Sequence, residues 1–331
     1  METALTRDAG IAVPIICGAM YPCSNPELVG AVSATGALGV FQPISLTYVH
    51  GHAFREGVRL MQQLAGGRPI GMNVLIEQGS RRYHARMVEW VDVALEMGVR
   101  FFITSLGNPR WVCDRVHASG GIVYHDVTEA KWARKAVDAG SNGLIGVNAR
   151  AGGHAGGRGV AELYEELRGF GLPVVCAGGV GDADGYTEAL ALGYAGVQMG
   201  TRFIATAECN AHVRYKEAIV AAQEADIVLT ERLTGVPVAV INTPYIQRIG
   251  LKAGAVGRFL LRNPRTKRWM RTLYGVRSIL ALKRSSKRGD ISRDYWQAGR
   301  SVAAIHTIEP VRDIVARFAR AADSALSSQG S

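Results

Sequence analysis

Eight short apolar runs recur through residues 13–199, and polar, helix-like segments separate most of them. The runs are Val13–Cys17, Ala37–Phe41, Pro69–Val74, Val99–Thr104, Gly121–His125, Gly143–Val147, Pro173–Ala177 and Ala195–Met199. They are rich in Val and Ile and nearly continuous in apolar character, the pattern of parallel strands covered on both faces. Asn25–Ala34 reads as a helix with Ser24 as its cap and Pro26 in its first turn. Ser80–Met97 carries Met87, Val91 and Leu95 at i, i+4 and i+8, one helical face. Thr128–Ala139 starts at a cap candidate, Thr128, but Lys131 rules out a capping box. Val160–Arg168 and Ala183–Leu192 each end near a glycine, Gly169 and Gly193. The alternation predicts an α/β protein, a (β/α)8 TIM barrel near the lower size bound of that architecture, with a doubly wound open sheet as the rival.

Beyond the eighth run the pattern changes. It predicts a helix over Cys209–Ala225, an extended stretch over Ile227–Thr243 and a final helix over Glu309–Leu326. The predicted division is a barrel built from residues 1–224 with 296–331, and a smaller, mainly helical lid over 225–295 near the C-terminus. The closing Ser-Ser-Gln-Gly-Ser is expected to be disordered.

Charge sharpens this division. The net charge is +10, yet residues 251–289 hold twelve basic residues and no acid, so the remainder carries −2. Within that segment Trp269, Leu273, Val276 and Leu280 fall at i, i+4, i+7 and i+11 among Lys267, Arg268, Arg271, Arg277 and Arg284. This is a basic amphipathic helix. The favoured reading is a lid or dimer helix whose apolar face packs on the barrel, ahead of a membrane-surface or nucleic-acid contact. The oligomeric state is open, with a homodimer as one possibility. The N-terminus has neither a basic nor an apolar leader pattern, and no uncharged run is long enough for a membrane span. Five scattered cysteines form no CxxC pair. These features together suggest reduced thiols in a cytoplasmic protein.

Barrels do their chemistry at the C-terminal ends of their strands. There the first run leads to Gly18-Ala19-Met20, and the third carries the polar Asn73 in an apolar stretch. The sixth run is followed by Gly152-Gly153-His154, whose imidazole can exchange a proton near neutral pH. Gly178 and Gly179 follow the seventh run; Gln198, Gly200 and Thr201 close the eighth. Glycines let backbone N–H groups reach an anion, and the position after strands 7 and 8 is the usual phosphate site of this fold. His125 either lines the pocket or is a satisfied core residue, and His212 reads as structural, with a pocket-facing role as its alternative. No GxGxxG follows the first run, and no P-loop, HExxH or GxSxG is present. Strand ends without paired carboxylates argue against glycoside hydrolysis and against a divalent metal site.

The ordered motifs resemble those of the nitronate monooxygenase family, also called 2-nitropropane dioxygenase-like flavoproteins. The resemblance rests on Pro14-Ile15-Ile16-Cys17-Gly18-Ala19-Met20 followed by Asn25-Pro26-Glu27-Leu28, and on Ala151-Gly152-Gly153-His154. It rests further on Cys176-Ala177-Gly178-Gly179-Val180, on Gly196 through Phe203, and on Tyr295-Trp296-Gln297-Ala298-Gly299. It implies a TIM barrel holding FMN without a covalent link. Ala19, Met20 and Asn73 would contact the ring side, Gly178, Gly179, Gly200 and Thr201 would hold the phosphate, and His154 would be the catalytic base. Gly152, Gly153 and Gln198 complete the set of cofactor-contact candidates. The chain departs from the family in having Val147, Asn148 and Arg150 where a Gln or Glu-Gly pair and a Glu are common.

The implied reaction is FMN-dependent oxidation of alkyl nitronates or nitroalkanes by O2. The alternative is an NAD(P)H-dependent flavin reductase acting on an enoyl thioester or a quinone, since the same histidine motif occurs in both. The basic segment suits that alternative, because acyl-carrier proteins and CoA are acidic.

Overall fold

The computed structural model describes residues 1–77, 80–252 and 280–329, with residues 325–329 described as backbone only. Eight parallel strands close into a barrel in sequence order. They are β1 (Ile15–Cys17), β2 (Leu38–Phe41), β3 (Ile70–Leu75), β4 (Phe101–Ser105), β5 (Ile122–Val127), β6 (Gly143–Val147), β7 (Val174–Ala177) and β8 (Gly196–Met199). Closure is direct: Ile15 to Cys17 of β1 pair with Val197 to Met199 of β8. The open-sheet rival is thereby excluded.

Side chains alternate between the barrel lumen and the outer helical layer. Ile16, Leu38, Val40, Phe101, Ile103, Tyr124, Ile145, Val175 and Ala177 fill the lumen as one cluster. α1 (Ala4–Ala9) plugs the bottom: Leu5 and Ala9 join that cluster, and the Tyr124 hydroxyl donates to Asp8 Oδ2 at 2.8 Å. The open end is therefore the top, where the C-terminal strand ends lie.

The outer layer comprises α2 (Pro26–Ala34), α3 (Phe54–Leu64), α4 (Arg81–Glu96), α5 (Arg110–His117), α6 (Ala130–Asp138), α7 (Val160–Arg168) and α8 (Ala183–Ala191). After β8 there is only a single turn, α9 (Thr201–Ile204), and then α10 (Val213–Ala221). The last helix, α12 (Val311–Gln329), returns to pack against α8 and α2. Phe318 meets Tyr186 there, ring centroids 5.4 Å apart. The chain end thus fills the outer position that the eighth βα unit leaves short.

Several element bounds differ from the sequence reading. The helix expected over Cys209–Ala225 is shorter, because His212 caps its start and the chain turns extended at Ala222. The stretch expected to be simply extended is a hairpin of β9 (Ile227–Thr230) and β10 (Val238–Ile241). α11 (Pro244–Ile249) and helical residues 280–288 follow, so the described part of 225–295 mixes hairpin and helix. Asn25 rather than Ser24 holds the cap position of α2, without a side-chain capping bond, and the Ser24 hydroxyl instead accepts from Met20 N–H at 2.8 Å. Glu129, not Thr128, holds the cap position of α6. The terminal helix continues through Ser327, Ser328 and Gln329, which were expected to be disordered. Most of the basic amphipathic segment, including Trp269, Leu273 and Val276, lies outside the described residues. Among the described residues no helix is long and apolar enough to cross a membrane.

Candidate active site

The lumen positions nearest the top form a polar rim. Ser105 of β4 and Asp126 of β5 share the inward parity of Ile103 and Tyr124 two positions below them, and Asn73 of β3 and Gln198 of β8 that of Gly71 and Gly196, which face the lumen side chains Val40 and Leu5. Gln198 lies across Gly18: a Cβ on Gly18 would come within 3.0 Å of Gln198 Cγ. Its Oε1 is sealed from solvent and has no hydrogen-bond partner among the described residues. A buried acceptor without a donor is costly, so this atom is suited to a ligand N–H.

On the β1 side, Gly18 N–H donates to Met199 O at 3.0 Å, which ties the first loop to β8. Met20 then leans over Gly200, where a Cβ would sit 3.3 Å from its Sδ. Ala19 packs on the lumen cluster and stays half-buried.

Next to these lies a set of unused donors. The N–H groups of Gly178, Gly179, Val180, Gly200 and Thr201 donate to no protein acceptor among the described residues. They come from adjacent strand ends, β7 and β8. The Thr201 hydroxyl accepts from Gly299 N–H at 3.0 Å, which leaves its own proton free to donate. Gly178 and Gly179 adopt φ of 114° and 85°, a region that glycine tolerates and other residues avoid. A Cβ on Gly178 would also fall 2.6 Å from Ala151 N and from Asn148 Oδ1.

The loop carrying His154 is held from three directions. Asn148 is buried; its Nδ2 donates to Gly178 O at 2.8 Å, and its Oδ1 accepts from Arg150 N–H at 2.8 Å. Gly152 packs backbone to backbone on Gly299, where a Cβ on either glycine would meet main-chain atoms within 2.8 Å. Gly153 exchanges backbone hydrogen bonds with Ala239 of β10, the shorter being Ala239 N–H to Gly153 O at 2.7 Å. His154 therefore projects from a fixed loop. Its ring is open at the mouth and makes no hydrogen bond among the described residues. Protein crowds it closely enough that desolvation lowers its pKa, keeping the imidazole a neutral base to lower pH.

Arg150 is committed elsewhere. Its guanidinium grips Glu224 through two hydrogen bonds, 3.0 and 2.9 Å, and Arg300 joins the same carboxylate at 3.2 Å. His125 points away from the lumen, hydrogen-bonded to Thr104 Oγ1 at 2.7 Å. Burial drops its pKa to about 4, so it is a satisfied core residue. His212 caps α10, its Nδ1 accepting from Arg214 N–H at 3.2 Å. Sequence reasoning missed Asn148 as a loop anchor, Gly299 as a packing partner and Asp126 as a rim residue. Asn148 and Gly299 lay inside quoted or neighbouring motifs; nothing in the sequence marked Asp126.

A closed barrel with a glycine-rich donor set and a loop histidine at its top is a (β/α)8 protein equipped to hold an anionic group beside an acid–base residue. The family model described as nitronate monooxygenase matches residues 2–320, and the chain belongs to that family. A Rhodococcus jostii protein named (3aS,4S,5R,7aS)-5-hydroxy-7a-methyl-1-oxo-octahydro-1H-indene-4-carboxyl-CoA dehydrogenase is 28% identical, over 87% of this chain and 80% of its own. A Staphylococcus saprophyticus protein described as probable nitronate monooxygenase is 25% identical over 75% of this chain and 81% of its own. Among solved structures, FabK from Thermotoga maritima superposes with a TM-score of 0.81 at 27% identity, covering 99% of this chain and 98% of that one.

Proposed function

We propose that the chain binds FMN at the top of the barrel and oxidises alkyl nitronates with O2. The observation that carries the cofactor reading is the set of five unpaired N–H groups at β7 and β8, beside the sealed, unpartnered Gln198 Oε1. The donors suit a phosphate, and Gln198 suits a ring N–H. Ala19, Met20 and Asn73 line the same opening from β1 and β3, and Gly152 and Gly153 keep the His154 loop free of side chains. FMN, when bound, supplies the electron transfer between substrate and oxygen. His154, neutral at physiological pH, takes the α-proton when the substrate arrives as a nitroalkane.

A second reading, an acyl-thioester substrate, is favoured by one observation. Residues 280–288 pack against the turn after β2 and the start of α10 and carry Lys283, Arg284, Lys287 and Arg288. Lys283 Nζ donates to Tyr48 O at 2.6 Å, and Lys287 Nζ to Val49 O at 3.5 Å, in the π-helical turn Ser45–Val49 that follows β2. Cations beside the mouth suit the phosphates of CoA, and a CoA-thioester dehydrogenase is among the relatives.

The anaerobic visible spectrum separates the two. Bleaching by ethyl nitronate, with NADPH and acyl-CoA inert, is the outcome expected for nitronate oxidation. Bleaching by NAD(P)H or by a saturated acyl-CoA, with nitronate inert, overturns it in favour of the thioester reading.

A further inference from the structure

Asp126 is the one carboxyl group on the polar rim of the lumen among the described residues, and the reaction proposed above does not use it. Its Oδ2 lies 2.6 Å from Ser105 Oγ, and Ser105 Oγ lies 3.4 Å from Asn73 Oδ1. Its Oδ1 is sealed from solvent, with no hydrogen-bond partner among the described residues. Among the described residues no charged side chain acts on it: the facing lumen positions hold Ser105 on β4, Asn73 on β3 and Val147 on β6.

Proton counting along these three side chains ties the charge of Asp126 to the orientation of the Asn73 amide. A serine hydroxyl has a single proton to donate. If Asp126 is ionised, the short contact to its Oδ2 takes that proton, and Asn73 Oδ1 is left without a donor. If Asp126 is neutral, its own Oδ2–H donates to Ser105, and Ser105 donates onward to Asn73 Oδ1. Every contact is then satisfied by one proton, and the Asn73 carbonyl faces Ser105. The Asn73 NH2 makes no hydrogen bond to protein among the described residues. The neutral form also avoids leaving a charged, sealed oxygen unpaired, which is the costlier state.

We propose that Asp126 is a positioning residue that acts as a neutral acid, its proton ordering Ser105 and Asn73 so that the Asn73 NH2 is presented to a ligand acceptor at the mouth. With FMN as that ligand, which rests on the reading above, the acceptor is a carbonyl or nitrogen of the flavin ring. Ionising Asp126 turns the Ser105 proton away from Asn73. The amide then loses the contact that fixes it and can turn its carbonyl toward the ligand, setting acceptor against acceptor. Burial supports the neutral form by raising the Asp126 pKa to about 6, and a ligand covering the rim raises it further.

The test uses the full-length protein labelled with carboxyl-13C aspartate, titrated by NMR without and with FMN, with Asp126→Asn identifying the resonance. The Asp126 carboxyl is expected to titrate near pH 6, against about 4 for exposed aspartates. FMN should move that midpoint upward. The FMN Kd of the wild type should weaken above the midpoint, by up to about tenfold per pH unit for a single linked proton. Asp126→Asn, whose amide donates to Ser105 as the neutral acid does, should bind FMN as tightly as the wild type does at pH 5. Its Kd should show no such pH dependence. A carboxyl that titrates with the surface aspartates overturns the proposal, as do identical pH profiles of FMN affinity in wild type and variant. A chain that takes no FMN while Asp126 still titrates near pH 6 refutes the cofactor reading and leaves the neutral acid standing.

Discussion

His125 and Asp126 are neighbours on β5 with opposite electrostatic signs, because a strand sends consecutive side chains to opposite faces. His125 faces the outer layer and is held neutral, its pKa lowered from 6.5 to about 4 by burial. Its contribution to stability is complete above pH 6.5. It is lost as the pH falls toward 4, because the unfolded chain takes up the proton first. Asp126 runs the other way. Its pKa is raised from 3.8 to about 6, so its contribution is complete below pH 3.8 and is lost as the pH rises through 6. The His125 shift corresponds to about 3 kcal/mol of stability at stake on the acid side. His125→Gln keeps a hydrogen-bonding group next to Thr104 but cannot be protonated. Urea melts at pH 7.5 and 4.5 should therefore show a smaller acid loss in the variant than in the wild type. Equal losses would mean that other groups set the acid limb.

At the scale of elements, one edge of β10 decides how well the His154 loop is held. Ala239 sends its N–H to Gly153 and not to β9, so its pairing with Leu229 in the hairpin does not use that donor. Ala239→Pro deletes the one bond while leaving the neighbouring ladder donors of Val238 and Val240 in place. The expected result is at least about tenfold slower turnover of a neutral nitroalkane, the reaction that needs His154 to be placed. Flavin content should stay near that of the wild type, because Gly178, Gly179, Gly200 and Thr201 are untouched. Loss of flavin in step with turnover would show that the hairpin supports the whole barrel mouth. This anchor also marks the limit of what the sequence discloses. The eight strands were legible because each is a short apolar run with polar neighbours, a local signal. The glycine sites were legible because they directly follow those runs. The pairing of Gly153 with Ala239 and the backbone contact of Gly152 with Gly299 join residues far apart in the chain, and no local pattern reports them. Asp126 was hidden for a related reason: at the end of an apolar run, its face is set by barrel register, as that of His125 is.

Across the whole molecule, basic charge is concentrated in one stretch of the sequence, residues 251–289. The segment with twelve basic residues sits in a chain whose remainder carries −2, and its described end packs against the turn after β2. Two of its lysines are partly engaged, each donating to a main-chain carbonyl of the turn after β2, but neither is neutralised by an acid in those bonds. Such a cluster raises the local concentration of a multiply charged anion far more than that of a singly charged one. The effect is screened by salt, since the Debye length is about 10 Å at 0.1 M and about 3 Å at 1 M. A small nitronate has one negative charge, whereas an acyl-CoA carries several on its phosphates. The two substrate readings therefore differ in salt dependence as well as in chemistry. If a CoA thioester is the substrate, its KM should rise by roughly tenfold with added salt, with kcat held, because steering acts on encounter. Lys283→Gln combined with Lys287→Gln should flatten that rise. If nitronate is the substrate, both proteins should keep nearly the same KM across the salt series. A steep salt dependence with nitronate would contradict this account, because a single charge offers too little for the cluster to act on.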